Sequence, residues 1–197
     1  MKLLPLLACA CSMLMAADLN KNFTLISHSD HAEVVSEKYG YRFDAPWHWY
    51  VSATNPVPFT FSYSPREIRS RQIDVPAGGA EISITSDDLS HQVGSIDQWV
   101  EVDKKIDGYS SIKELGAGAN PLFPRAVEVI SYHDDGDARR ETVTHQTAVY
   151  FEFNGHIFAA YLRFNANDRR SREFEKDLYN LLSSFQKLPA AGANGSK

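Results

Sequence analysis

Between residues 23 and 187 the chain is written mostly in the period-two alternation of half-buried strands, with two stretches of helical spacing. Residues 23–27 and 33–36 read as short leading strands. In 39–44, Tyr41 and Phe43 fall on one face and Arg42 and Asp44 on the other. Pro46 stops that ladder, because it has no N–H to donate. Residues 59–63 alternate cleanly, and 80–85 do so with Ile82 and Ile84 inward. Strands are further expected over 111–115, 125–133, 141–153 and 156–164. Asn154 and Gly155 join the last two, since both tolerate the positive φ of a type I′ turn.

The first helix is expected over 96–106. Ser95 and Gln98 have capping-box spacing, Trp99, Val102 and Ile106 follow at helical intervals, and Gly108 suits the end. The second runs towards residue 185. Asp168 is its expected cap, and Phe174, Leu178, Leu181, Leu182 and Phe185 form one apolar stripe. Both faces of 156–164 carry apolar groups, so both faces of the sheet should be covered. The expected fold class is α+β: a central antiparallel β-sheet covered by helices in an α/β/α sandwich.

The stretch YGYRFDAPWHW, residues 39–49, packs large aromatics beside a histidine and a proline. It resembles the opening of PsbP-like domains, the fold of the extrinsic PsbP subunit of the oxygen-evolving complex. SIDQWVEVDKK (95–105) resembles their first helix, VYFEFNGHIFAAYLRF (149–164) their late hairpin, and FEKDLYNLLSSFQK (174–187) their closing helix. The resemblance covers about residues 38–187 and rests on pattern rather than on a catalytic signature. A second tryptophan, Trp49, departs from the single one usual there. The resemblance implies an accessory role, as a docked subunit or regulator. Tyr41, Phe43 and Trp47 are then plug, each able to bury roughly 150–250 Å², while Trp49 and His48 are the candidates to line a cleft.

The first seventeen residues change the picture of location. Lys2 precedes an apolar run of about fourteen residues ending in Ala16 and Ala17, the form of a secretory signal. The run is shorter than the roughly 20 residues a membrane span needs. Residues 6–9 have lipobox form, but Cys9 lies early for a lipidation signal, so a lipid-anchored form is the lesser expectation. The domain reading is signal peptide 1–17, N-terminal polar extended segment 18–37, PsbP-like domain 38–187 and disordered tail 188–197. Both cysteines, Cys9 and Cys11, fall in the leader. The mature chain is therefore expected to be secreted or periplasmic, without disulfide, thiol nucleophile or integral membrane span. A net charge of −5 excludes a global basic field for nucleic acid.

Candidate chemistry is thin. There is no G-x-S-x-G elbow, H-E-x-x-H or phosphate loop. Arg66, Arg69 and Arg71, with Arg139 and Arg140, could face an anionic partner surface, as guanidinium forks suit carboxylates and phosphates. With His48 and Trp49, Arg66, Arg69 and Arg71 make the candidate binding set; no catalytic residue, metal ligand or cofactor is assigned. His28, Asp30 and His31 have ligand-like spacing, weighed against a solvated loop. His145 and His156 flank the hairpin as possible cross-strand neighbours. Asp134, Asp135 and Asp137 read as an acidic turn rather than a calcium loop. The function expected is a secreted, non-enzymatic accessory domain that docks to a protein partner in the cell envelope, through loops 64–79 and 116–124 and turn 134–140. The alternatives are an envelope hydrolase with an unrecognised carboxylate or histidine site, and a histidine-based metal-binding module.

Overall fold

The computed structural model describes residues 15–20, 23–29, 31–46, 48–52, 59–63, 79–86, 93–107, 109–134 and 143–189; for 15–20, 52, 59, 60, 62, 107 and 134 it describes the backbone alone. In chain order the strands are β1 (Met15–Asn20), β2 (Phe23–Ser27), β3 (Ala32–Ser36), β4 (Tyr41–Asp44), β5 (Tyr50–Ser52), β6 (Phe59–Tyr63) and β7 (Ala80–Ser86). Helix α1 (Ile96–Asp107) follows, then β8 (Ser111–Glu114), a 3₁₀ turn (Gly116–Gly118), β9 (Ala126–Asp134), β10 (Val143–Phe153), β11 (His156–Asn165), α2 (Ser171–Ser183) and β12 (Gln186–Lys187).

Two antiparallel sheets result. One has seven strands in the order β5-β6-β7-β11-β10-β9-β8, and the other five in the order β1-β2-β3-β4-β12. The hairpin turn forms as its residues allow, with Asn154 at φ 51° and Gly155 at φ 81°. It sets ten consecutive pairs between β10 and β11, from Phe153 opposite His156 to Thr144 opposite Asn165. His145 therefore faces Phe164 and is not the cross-strand neighbour of His156.

The expected α/β/α sandwich is corrected by this arrangement. Among the described residues the protein is β-rich, with two short helices, and a second sheet takes the place given to helical cover. The physical reason lies in β2, β3 and β4. They pair with one another, Leu25 opposite Val34 and Val34 opposite Phe43, instead of adding to the main sheet. Val34, Tyr41 and Phe43 then point inward from a sheet of their own. Its last strand comes from the far end of the chain, Gln186 opposite Arg42.

The main core lies between the two sheets and α2. Phe185, 1% exposed, is its hub, with ring centroids 5.0 Å from Tyr41, 4.7 Å from Phe43, 5.7 Å from Phe123, 5.3 Å from Phe151 and 5.8 Å from Phe153. Carbonyls at and just beyond the end of α2 are bound by one buried side chain. Asn120 Nδ2 donates to the oxygens of Leu182, Ser183 and Phe185 at 3.0, 3.1 and 3.1 Å. Loop 116–124 is thus bound to the helix end through Asn120 and buried Phe123, although Leu122 remains exposed. At the other end of α2, Asp168 does not cap. It accepts from the backbone N–H of Arg170, the residue before the helix, whose own side chain makes no capping bond.

A smaller core lies on the opposite face of the seven-stranded sheet, beneath α1. Ser95 Oγ accepts from the N–H of Gln98, and the Gln98 carboxamide reaches back to the N–H of Gly94, one residue earlier than the capping box predicts. The buried stripe also differs from the one expected. It runs Ile96, Trp99, Val100 and Asp103, while Ile106 is 70% exposed. A polar residue occupies an inward position, and an apolar one is left outside.

Candidate functional site

Asp103 is the most demanding group beneath α1. Its Oδ2 accepts from Tyr150 Oη at 2.6 Å and from Tyr161 Oη at 2.5 Å. Tyr150 comes from β10 and Tyr161 from β11, so one carboxylate ties the helix to two central strands. Burial, then neighbouring negative charge, pushes both phenols well above the usual tyrosine range. The arrangement holds protons rather than moving them, which makes it a clamp.

Tyr41 is likewise raised, by burial and then by Tyr39; its hydroxyl is enclosed without a hydrogen-bond partner. The three shifts give a pH dependence. Tyrosines in an unfolded chain ionise near about pH 10, where the folded chain keeps these protons. Stability should be level below that pH and fall above it by about 1.4 kcal/mol per pH unit for each tyrosine, about 4 for the three together. Urea titrations from about pH 8 to about pH 11 check this, and an unchanged midpoint across that range would contradict it.

The opening stretch is mostly interior. Tyr41, Phe43 and Trp49 are buried. Trp47 lies outside the described residues. Trp49 packs against Tyr63 and Phe174, and its Nε1–H donates to Asp177 Oδ2 at 2.9 Å. Beside it, the Arg170 guanidinium lies over Tyr63 and Phe174, 4.8 and 5.1 Å from the ring centres. His48 is exposed in the turn before Trp49 with φ 64°, a left-handed conformation. The loops beside His48 and Trp49, residues 53–58 and 64–78, lie outside the described residues. Arg66, Arg69, Arg71, Arg139 and Arg140 lie outside the described residues, as do Asp135 and Asp137.

The remaining described histidines disperse. His145 is buried, stacked on Phe164 at 4.6 Å, and its Nε2 lies 2.9 Å from Thr147 Oγ1; burial lowers its pKa. His156 meets Tyr39 edge-on at 5.1 Å. His133 Nε2 lies 3.3 Å from Ser131 Oγ, the spacing of a nucleophile and base, but Ser131 is 2% exposed and closed to a substrate. His28 and His31 do come together, and Glu33 joins them, a residue the sequence reading placed only in a strand. Asp30 lies outside the described residues.

Among the described residues the seven-stranded sheet ends at β8. There this strand pairs with β9 alone, and all four of its residues are exposed. Ile112, 45% exposed, stands opposite Val129, which belongs to the core beneath α1. Ile106 at the end of α1 and Tyr109, 47% exposed, precede it, with Lys104 Nζ over the Tyr109 ring. Arg125 anchors this end to Asp97 of α1 and Glu114 of β8, at 2.8 and 2.7 Å. Nothing in the apolar pattern of 111–115 distinguishes an edge strand from an inner one, so the sequence carried no signal for this surface.

No family model matches the chain, and no curated protein matches it. Among solved structures it is similar to the crystal structure of PA94, a protein of unknown function from Pseudomonas aeruginosa, at 12% identity over 81% of this chain and 96% of that one, with a TM-score of 0.38. That similarity is too distant to carry an inference. Among the described residues no helix is long and apolar enough to cross a membrane.

Proposed function

We propose that the chain is an exported, non-enzymatic accessory domain that docks to another protein of the cell envelope, and that β8 is its docking edge. The carrying observation is three large apolar side chains, Ile106, Tyr109 and Ile112, exposed within seven residues beside a strand edge that has no partner among the described residues. Isolated exposed apolar residues are ordinary, but a run of them at a strand edge is the surface that strand addition uses. The occupant is an extended segment of the partner. Its backbone pairs with β8, and alternate apolar side chains rest on Ile112 and Ile106. The charges that flank the edge, Lys113 and Glu114 with Lys104 and Lys105, discourage indiscriminate pairing and select a partner of matching charge. Export rests on the leader-like pattern of residues 1–17, of which 15–17 also open β1, so removal of the leader leaves that strand residues 18–20. The resemblance to PsbP-like sequences agrees with a docked role, and the docking reading stands without it.

A photo-crosslinking residue at position 112 in the full chain, expressed in its own cells, should give one discrete adduct. The same residue at Glu173, exposed on α2, should give none. Ile106→Asp should remove the adduct while leaving the melting temperature nearly unchanged, as expected of a surface substitution. Absence of an adduct at 112, or the same adducts at both positions, would overturn the proposal.

A further inference from the structure

We infer that His28, His31 and Glu33 form a binding site for a divalent transition-metal ion of the Zn²⁺ and Cu²⁺ class. The turn between β2 and β3 builds it. The N–H of His28 donates to the carbonyl of His31 at 2.8 Å, which closes the turn and places the two imidazoles on the same side. The rings lie parallel, with centroids 4.2 Å apart and planes 8° apart. Glu33 enters from the middle strand of the five-stranded sheet, on the face opposite the buried Val34. Its Oε2 stands 3.5 Å from His28 Nε2. One ligand atom from each of the three residues lies within 4.8 Å of the others.

Two imidazoles and a carboxylate are the donor set that borderline divalent ions take, and three protein ligands leave one position open. Tetrahedral ligation at about 2.0–2.1 Å sets ligand atoms about 3.3 Å apart. The histidine–glutamate separation is already close to that. Small rotations of these half-buried side chains supply the rest. A second observation points the same way. His28 Nε2 is shut off from solvent yet makes no hydrogen bond, although a carboxylate oxygen is near. A buried ring nitrogen without a hydrogen-bond partner is costly, and a metal ion would use its lone pair. Arg42, whose Nη1 lies 3.6 Å from Glu33 Oε1, holds the second carboxylate oxygen and orients the first. Arg42 is fixed in turn by Gln186 Oε1, at 2.9 and 3.2 Å.

Titration of the full chain with ZnCl₂ in a calorimeter should show a site of one ion per chain that MgCl₂ does not fill. His31→Gln and Glu33→Gln should each weaken that site by about tenfold or more. With CuCl₂, the electron paramagnetic resonance spectrum should show two coordinating nitrogens in the native chain and one in His31→Gln. The other histidines provide the control, since His48→Gln and His133→Gln should leave the site unchanged. His31→Gln keeps the backbone bond that closes the turn, so its fold is retained. Equal Zn²⁺ affinity in the native chain and in His31→Gln, or no ion bound by the native chain at millimolar ZnCl₂, would overturn the inference.

Discussion

Phe185→Ala should cost about 4 kcal/mol of stability and lower the melting temperature by on the order of 10 °C. Phe185 follows α2 and lies against aromatic rings from both sheets and from loop 116–124. Truncation therefore opens a void that no single element can close. Tyr41 and Phe43 belong to the five-stranded sheet, Phe151 and Phe153 to the seven-stranded one, and each sheet is held by its own hydrogen bonds. The cost should lie well within the range for buried phenylalanine, because the surroundings cannot collapse. Phe185→Leu, which keeps most of the volume, should cost less than about 1.5 kcal/mol. Equilibrium unfolding in urea measures both. If Phe185→Ala cost under about 1 kcal/mol, the residue would not be the junction described.

Asp103→Leu should cost about 3–4 kcal/mol, by a different mechanism. Leucine is larger than aspartate and leaves no cavity, so lost volume is not the cause. The buried Tyr150 phenol and the half-buried Tyr161 phenol lose their acceptor, and each bond to a carboxylate contributes about 1.5–3 kcal/mol. The test is the companion variant. Removing both hydroxyls in Asp103→Leu/Tyr150→Phe/Tyr161→Phe should recover about 2 kcal/mol, because replacing all partners by apolar groups is close to neutral. A triple variant no more stable than Asp103→Leu alone would show that the carboxylate acts through something other than these two bonds.

Asp103 also shows why part of the fold could not be read beforehand. Helical spacing was legible in residues 96–106, and so was the serine that starts the helix. The inward face was misread because the pattern rewards apolar residues. Asp103 and Ile106 exchange the roles their chemistry suggests, and only the tyrosines opposite explain it. The hairpin at Asn154 and Gly155 was legible because its cause is local, the tolerance of two residues for positive φ. The second sheet was not. Alternation shows that Tyr41 and Phe43 share a face, but not that Val34 will lie opposite Phe43 or that Gln186 will pair with Arg42. Nothing within a local window records a partner so distant, and two strand-bearing segments separated by a turn look the same whether they extend one sheet or begin another. The histidine turn was half legible. Spacing singled out His28 and His31, but strand direction after the turn brings in Glu33, and direction is not a property of spacing.

The pairing of β12 with β4 has a kinetic consequence. The five-stranded sheet is assembled from the beginning of the chain but is completed only by residues 186 and 187. During synthesis its inner aromatic face can meet the seven-stranded sheet but stays partly open until α2 and Phe185 have emerged. Contacts of such long sequence separation slow folding, because loop-closure entropy must be overcome before they form. The early strands must therefore wait, partly exposed, for the latest ones. A protein that acquires its last seam so late gains from a chaperone that shields its opening segment in the interval.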